Sequence, residues 1–307
     1  MTLKILTAAL SAMLLSACAP AQTPQAAAPS AVAAAPAPQS DAPALWRISD
    51  EDTTIWLFGT IHILPDGFAW RNPTIDAAIE ASDTLILETI TGDGQSDAAL
   101  LLMRLGVSSD LPPIGERVDP ELLPQLASMI ARGPFPESFL NGLETWAASL
   151  MLVGVTLNDL GLDSENGVEE QLELIFQLAN KPISGLETPA QQLGFFDALP
   201  EEAQRYFLSS VIDTPEDIQR EFDAMLEAWR SGDEEAIATT FDDELALSEP
   251  LRQALLTRRN ATWATWIGER LDEPGTVLVA VGAGHLAGDD SVQDFLNAAG
   301  IETVRVQ

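Results

Sequence analysis

The sequence contains two histidines, His62 and His285, and each follows a glycine by three positions. The turns Gly59-Thr60-Ile61-His62 and Gly282-Ala283-Gly284-His285 share this Gly-x-x-His spacing. A glycine there can adopt a positive φ or let the backbone approach a bound group closely, and histidine can bind a metal or carry a proton. One such turn is weak evidence, but two turns that use every histidine predict a single functional site.

Two glutamates are further candidates. Glu88 ends an apolar run, and a buried carboxylate there needs a cation, a metal or a proton. With His62 and His285 it gives a two-histidine, one-carboxylate set that suits a catalytic divalent metal. It could instead be a general base, or a helix-capping or surface residue. Glu187 precedes Thr188-Pro189, so it either belongs to the site or caps the next helix.

A third group is the segment Arg258-Arg259-Asn260, which lies among apolar positions in a chain with few basic residues. Charged pairs on helices are commonly solvated. An arginine that reaches the site could instead pair with Glu88 or Glu187, or hold a substrate carboxylate.

The candidate residues share a position just after predicted strands. The β-prone runs 55–58, 84–87, 182–186 and 276–281 lead, in that order, to His62, Glu88, Glu187 and His285. Ligands bind outside the carboxyl ends of the strands in open α/β sheets. We therefore expect these side chains to lie at one edge of a sheet.

The remaining pattern predicts an α/β (α+β) fold, with a central mixed sheet built from both ends of the domain and a large, mostly helical middle segment. A hairpin is expected over 45–48 and 54–58, and a last strand over 301–306. Helices are expected over 73–81, 120–131, 138–157, 168–179 and 292–299, and across 189–271 with breaks near Pro200, Pro215, Gly232 and Pro250.

The N-terminus has the pattern of an export signal. Lys4 precedes an apolar run over 5–15 that is too short to span a bilayer, and Leu15-Ser16-Ala17-Cys18 matches the bacterial lipobox. We interpret 1–17 as a lipoprotein signal peptide, 18–43 as the lipidated Cys18 with an Ala/Pro-rich tether, and 44–307 as the folded domain. An ordinary signal peptide with an incidental cysteine is the alternative. Because Ala19 follows the cysteine, we expect lipid anchoring at the periplasmic side of the cell envelope, in the outer membrane.

The charge balance excludes one class of partner. The chain has 47 acidic and 15 basic residues, a net charge of −32, which disfavours binding to nucleic acids. It also disfavours docking of the folded domain on anionic lipid, so we expect membrane contact only through the N-terminal lipid. No Gly-x-Ser-x-Gly elbow, phosphate-binding loop or His-Glu-x-x-His segment occurs. We interpret the tryptophans and phenylalanines as packing residues.

Five segments of the folded part resemble the TraB/PrgY/GumN family, which includes the animal Tiki proteins. They are Trp56-Leu57-Phe58-Gly59-Thr60-Ile61-His62, Leu85-Ile86-Leu87-Glu88, Gly185-Leu186-Glu187-Thr188, Arg259-Asn260 and Val281-Gly282-Ala283-Gly284-His285-Leu286-Ala287-Gly288. The resemblance implies a fold related to the erythromycin-esterase and ChaN-like proteins. It also implies a metal-dependent protease activity like that of the Tiki proteins, which use manganese or cobalt.

The sequence and the resemblance together predict an envelope-anchored metal-dependent hydrolase, a peptidase acting on a peptide or protein substrate. His62, His285 and Glu88 would hold a divalent metal (manganese, cobalt or zinc), with Glu88 as ligand or base. Arg259 and Asn260 would orient substrate or stabilise charge, and Glu187 is a further candidate. The alternatives are a lipoprotein that binds haem, a metal or a peptide without turnover, and a pseudoenzyme that contacts a partner.

Overall fold

A computed structural model describes residues 42–90, 95–162, 166–212, 214–245 and 248–307. The predicted signal peptide, Cys18 and nearly all of the predicted tether lie outside these residues, so their assignment stays a prediction. Within the described ranges, no helix is both long enough and apolar enough to cross a membrane.

A six-stranded mixed sheet lies at the centre of the described residues, in the order β4-β3-β5-β2-β1-β6. Its strands are β1 (Leu45–Ser49), β2 (Thr53–Thr60), β3 (Thr84–Leu87), β4 (Ile183–Gly185), β5 (Gly275–Gly282) and β6 (Val304–Arg305). Neighbouring strands from β4 to β2 are parallel, whereas β1 is antiparallel to both β2 and β6. This confirms the predicted mixed sheet, since β1 to β3 come from one end of the domain and β5 and β6 from the other.

The helical middle segment is also confirmed. The helices are α1 (Pro73–Ala81), α2 (Gln95–Leu105), α3 (Leu123–Arg132), α4 (Glu137–Leu140), α5 (Thr145–Asp159), α6 (Val168–Leu178), α7 (Pro189–Asp197), α8 (Glu201–Ser210), α9 (Pro215–Ser231), α10 (Glu234–Leu245), α11 (Glu249–Arg252), α12 (Arg258–Arg270) and α13 (Val292–Ala298). A π-helical turn, Gln253–Thr257, joins α11 to α12, and a 3₁₀ turn, Ala283–Leu286, follows β5.

The sheet is covered on both faces, which explains why its central strands are almost continuously apolar. Val277 and Val279 of β5 belong to one core cluster, with Trp263 of α12 and Leu296 of α13. Leu278 and Ala280 point to the opposite face and join the larger cluster formed with the middle helices. The alternation along β5 fixes its register between β2 and β3, and therefore where each strand ends.

Two predicted elements differ from the structure. The helix expected over 138–157 is interrupted between α4 and α5, where Leu143 forms an isolated β-bridge with Val107. The buried Arg117 binds this connection by donating hydrogen bonds to the carbonyls of Asn141 and Leu143, which removes them from a helical ladder. The last strand is shorter than the expected 301–306 because β6 pairs with β1 only through Val304 and Arg305.

Candidate functional site

The four predicted strand ends meet at one edge of the sheet. His62 lies two residues after β2, Glu88 directly after β3, Glu187 two residues after β4, and His285 three residues after β5. All four side chains are buried, His285 most completely with a relative exposure of 1%. Their convergence follows from the parallel direction of the four strands.

Arg259, in the first turn of α12, lies at the centre of these side chains and has a relative exposure of 3%. Its Nη2 donates to Glu88 Oε2 at 2.6 Å and to Glu187 Oε2 at 2.9 Å, and its Nε donates to Glu187 Oε1 at 2.9 Å. Its Nη1 contacts the carbonyl of Leu255 and Nε2 of His285, both at 3.2 Å. These contacts engage all five guanidinium N–H groups. Arg259 therefore binds the two glutamates, and no donor remains for a substrate carboxylate.

The elements around Arg259 explain its position. The π-helical turn before α12 includes Leu255, whose carbonyl accepts from the Arg259 side chain. The guanidinium also lies between aromatic faces, 4.7 Å from the Trp263 ring centre and 5.6 Å from that of Phe195. Burial would lower the pKa of Arg259, but the two adjacent carboxylates raise it. The group is a permanent buried cation.

His285 is held as a neutral ring. Its Nδ1 lies 2.5 Å from Oδ1 of Asn260, whose Nδ2 donates to the carbonyl of Asp290 at 2.8 Å. Because the amide nitrogen faces a carbonyl, Oδ1 is the acceptor, so Nδ1 of His285 carries the proton and Nε2 accepts from Arg259. Burial lowers the pKa of His285 to about 3, and the nearby Arg259 adds to this effect. Asn260 thus orients His285 through this hydrogen bond.

In contrast to His285, the His62 ring is held in its charged form. Its Nδ1 lies 2.6 Å from Oε1 of Glu169, the second residue of α6, and Thr60 Oγ1 donates to the same oxygen. Burial alone would lower the pKa of His62, but the charges of Glu169 and Glu88 raise it to about 9. At neutral pH the His62 ring is therefore protonated.

Glu88 connects the arginine to the end of β5. Its Oε1 accepts from the backbone N–H of Gly282 at 2.7 Å, while Oε2 accepts from Arg259. Burial would raise the pKa of Glu88, but Arg259 and His62 hold it well below its usual range. Glu88 is thus a buried, ionised carboxylate, not a helix cap or a surface residue.

At both Gly-x-x-His turns, neighbouring atoms lie so close to the glycine that a side chain there would meet them. A Cβ atom on Gly282 would lie 3.1 Å from Glu88 Oε1 and 3.2 Å from His62 Nε2, and one on Gly59 would lie 3.2 Å from the backbone of Ala283. The expectation of a positive φ at these two positions is wrong: Gly282 has a φ of −50°, and Gly59 is not among the positive-φ glycines. The left-handed conformation occurs later, at Gly288, with a φ of 70°.

Glu187 belongs to the cluster, and the capping interpretation does not hold. Thr188 caps α7 by accepting from the backbone of Gln191. Glu187 instead accepts from Trp263 Nε1 at 3.0 Å and from Gln192 Nε2 at 3.2 Å, in addition to Arg259. Burial raises the pKa of Glu187, although the arginine opposes this.

Sequence reasoning missed several members of the cluster. Glu169 carried no signal, because no spacing relates the first turn of a distant helix to the strand end at His62. Trp263 was interpreted as a packing residue, yet it donates a hydrogen bond to Glu187 and its ring centre lies 4.4 Å from that of His285. A tryptophan four positions after Arg259 on a helix was the one available indication.

The predicted metal ligands do not form an assembled metal site in this arrangement. Within the described ranges, no group of three or more His, Cys, Asp or Glu side chains is placed to hold a metal ion. Arg259 donates to Nε2 of His285 and to Glu88, so a metal bound to both would have to displace the guanidinium. Metal binding by His62, His285 and Glu88 stays a prediction.

Comparison with known proteins gives a family and distant relatives. The chain is similar to the uncharacterized protein YbaP of Escherichia coli (strain K12) and to its namesake in Shigella flexneri. Each is 23% identical over 240 residues, which covers 78% of this chain and 86% of the relative. No solved structure matches the chain with significant similarity. The profile of the TraB/PrgY/gumN family matches residues 44–305, which include every residue of the cluster described above, and the chain belongs to this family.

Proposed function

We propose that this protein is a hydrolase, a peptidase of the cell envelope, whose reaction takes place at the cluster of His62, Glu88, Arg259 and His285. The observation that carries the proposal is the buried His62, whose pKa of about 9 makes it a proton carrier at a sheet edge where α/β proteins bind ligands. Peptide as the substrate class comes from the resemblance to the Tiki proteins. Anchoring through Cys18 comes from the lipobox pattern.

His62 has the proton chemistry that hydrolysis requires. Near neutral pH the protonated His62 can donate its proton to the leaving amine, and the neutral ring left behind can take up the proton that the attacking water loses. His285 cannot do this near neutral pH, because its pKa is held near 3. Glu88 is also unsuited, since both of its oxygens accept hydrogen bonds and its pKa is depressed.

The other charged groups fix the geometry around His62. Arg259 binds Glu88 and Glu187 together, so the ends of β3 and β4 keep a constant separation from α12. Glu88 lies beside His62 and favours its charged form. This preorganised arrangement supports a reaction in which His62 holds a proton and releases it to the substrate.

The purified full chain, incubated with a diverse peptide library, tests the proposal. We expect cleavage by the wild type and a fall of about 100-fold or more in kcat/KM for His62→Gln, because general acid–base catalysis contributes roughly that factor. Arg258→Met is the matched control, since Arg258 is exposed and next to Arg259. Equal cleavage by the wild type and His62→Gln would contradict the role of His62, and no cleavage of any peptide would contradict the peptidase activity.

The metal-dependent form of this hydrolase is a second candidate. It is supported by the orientation of both imidazoles, each of which directs Nδ1 to an oxygen of Glu169 or Asn260, as metal-ligating histidines commonly do. Chelator treatment followed by manganese, cobalt or zinc tests it. Restored cleavage and a raised melting temperature would support it, whereas cleavage that is insensitive to the chelator would favour the metal-free form.

The alternative is a binding protein without catalytic activity, which would capture haem, a metal or a peptide. A Soret band on mixing with haem, together with no cleavage across the library, would favour that function.

Labelling with a radioactive fatty acid in cells, compared between the wild type and Cys18→Ala, tests the proposed anchor.

A further inference from the structure

We propose that Glu169 is a positioning residue that fixes the ring orientation of His62, a role that rests on the proposed function of His62 as the proton carrier. Glu169 does not need to contact a substrate for this role. It acts through the Nδ1 side of the imidazole and thereby determines which nitrogen faces the reaction centre.

The first observation is the attachment of α6 to the end of β2. The N–H of Val168 donates to the carbonyl of Ile61 at 3.1 Å, which ties the residue before Glu169 to the residue before His62. Gln171, one half-turn further along α6, accepts from Trp70 Nε1 at 3.1 Å. The segment that carries Glu169 is therefore bound to the strand exit before the carboxylate and to Trp70, in the connection that follows His62, after it.

The second observation is the convergence of two donors on one oxygen. Oε1 of Glu169 receives both the Nδ1 of His62 and the Oγ1 of Thr60. The Glu169 side chain is only 17% exposed. In the part of the chain that the structure describes, its Oε2 is buried and has no hydrogen-bond partner. Thr60 thus fixes the carboxylate, and the carboxylate fixes the histidine.

The third observation is the direction in which this bond turns the ring. With Nδ1 bound to Glu169, Nε2 of His62 lies 3.2 Å from the position that a Cβ on Gly282 would occupy, beside Glu88 Oε1. His285 shows the same arrangement, with Asn260 on its Nδ1 and Nε2 directed to the centre of the cluster. Both imidazoles therefore present the same nitrogen to the same space, and each has its own oxygen acceptor.

Nuclear magnetic resonance of the [15N]histidine-labelled full chain tests this directly, because the sequence contains two histidines. Loss of one signal in His285→Gln assigns the other to His62. In the wild type we expect a downfield Nδ1–H signal from His62 that exchanges slowly with water. Glu169→Ala should lose this signal while the His285 signal remains. Glu170→Gln, an exposed change on the next residue of α6, should keep both signals.

Glu169→Gln keeps the inference testable where the alanine variant does not fold. Its amide oxygen can still accept from Nδ1–H, so the signal should persist but move upfield, since the acceptor has lost its charge. Once a peptide substrate has been identified, Glu169→Gln should lower kcat for that peptide by roughly 10- to 100-fold relative to the wild type, with little change in KM.

A wild-type His62 without a protected Nδ1–H, or a signal that is identical in Glu169→Ala, would overturn the positioning role. Absence of peptide cleavage together with the expected His62 signals would contradict the proposed function and leave the positioning of the ring established. The two failures are thus distinguishable.

Discussion

Arg259 and His62 are the two cations of a cluster that also contains the carboxylates of Glu88, Glu169 and Glu187. Arg259 neutralises Glu88 and Glu187 directly, whereas His62 is paired with Glu169. A buried charge is tolerated only where partners and hydrogen bonds replace water. The removal of one partner therefore has a larger effect here than at an exposed ion pair.

The Arg259→Met variant tests whether the loss of a buried ionic partner destabilises the fold more than the loss of an exposed charge. Removing the guanidinium leaves two buried carboxylates without their cation, and we expect the free energy of unfolding to fall by about 3–5 kcal/mol. Arg258→Met removes an exposed arginine from the same turn of α12 and should change stability by no more than about 0.5 kcal/mol. Chemical denaturation measures both variants, and similar midpoints for the two would contradict the assigned contacts.

The residue types of the site could be predicted for those side chains that follow strands. His62, Glu88, Glu187 and His285 each lie within three residues of a strand end, and strand patterns are local in sequence. Arg259 was identified through its apolar surroundings, and pairing with Glu88 or Glu187 was among the expected alternatives, whereas the structure pairs it with both. Glu169 could not be predicted, because its bond with His62 depends on how α6 docks on the sheet.

At the scale of elements, the end of β5 passes very close to the charged side chains of the site. The Gly282 Cα lies where a single added carbon would contact Glu88 and His62 at little more than 3 Å. The turn after β5 could be predicted from its glycines. The reason why position 282 is a glycine could not be predicted, because it depends on His62 and Glu88, which follow β2 and β3. The sheet edge thus requires a residue without a side chain at this point.

Gly282→Ala should disturb the site without unfolding the chain. Its φ of −50° is accessible to alanine, so the backbone is not strained and the melting temperature should change little. The added methyl group displaces Glu88 or His62, and we expect kcat/KM to fall by roughly 10- to 100-fold.

Gly154→Ala on α5 is the matched control, because no atom outside its own helix lies within 4 Å of the added carbon. It should leave activity unchanged and raise stability by about 0.5–1 kcal/mol. Unchanged cleavage by Gly282→Ala in a peptidase assay would show that the reaction does not use this space.

For the whole molecule, the two histidines should set the pH at which the fold is most stable. The pKa of His62 is raised from 6.5 to about 9, so the folded state binds more protons and stability falls as pH rises from 6.5 through 9. The pKa of His285 is lowered from 6.5 to about 3, so stability falls as pH decreases from 6.5 toward 3. The two effects together predict a maximum near pH 6.5.

Denaturation midpoints between pH 5 and 9 measure this profile. Over this range we expect a loss of about 3 kcal/mol on the alkaline side from His62 and of about 2 kcal/mol on the acidic side from His285, because one pKa unit corresponds to about 1.4 kcal/mol. His62→Gln should flatten the alkaline side, and His285→Gln the acidic side. A profile that both variants leave unchanged would contradict the assigned protonation states.

The position of β5 in the sheet has a consequence for how the chain folds. β5 lies between β2 and β3, although more than 180 residues separate it from either along the chain. Until residues 275–282 are available, β2 and β3 both have unpaired edges, and the helical middle segment has no completed sheet to cover. Such non-local pairing makes folding slow. A chain that emerges N-terminus first cannot form the site until residues 275–285 have appeared, so His62 must wait for more than 200 further residues before it can meet His285.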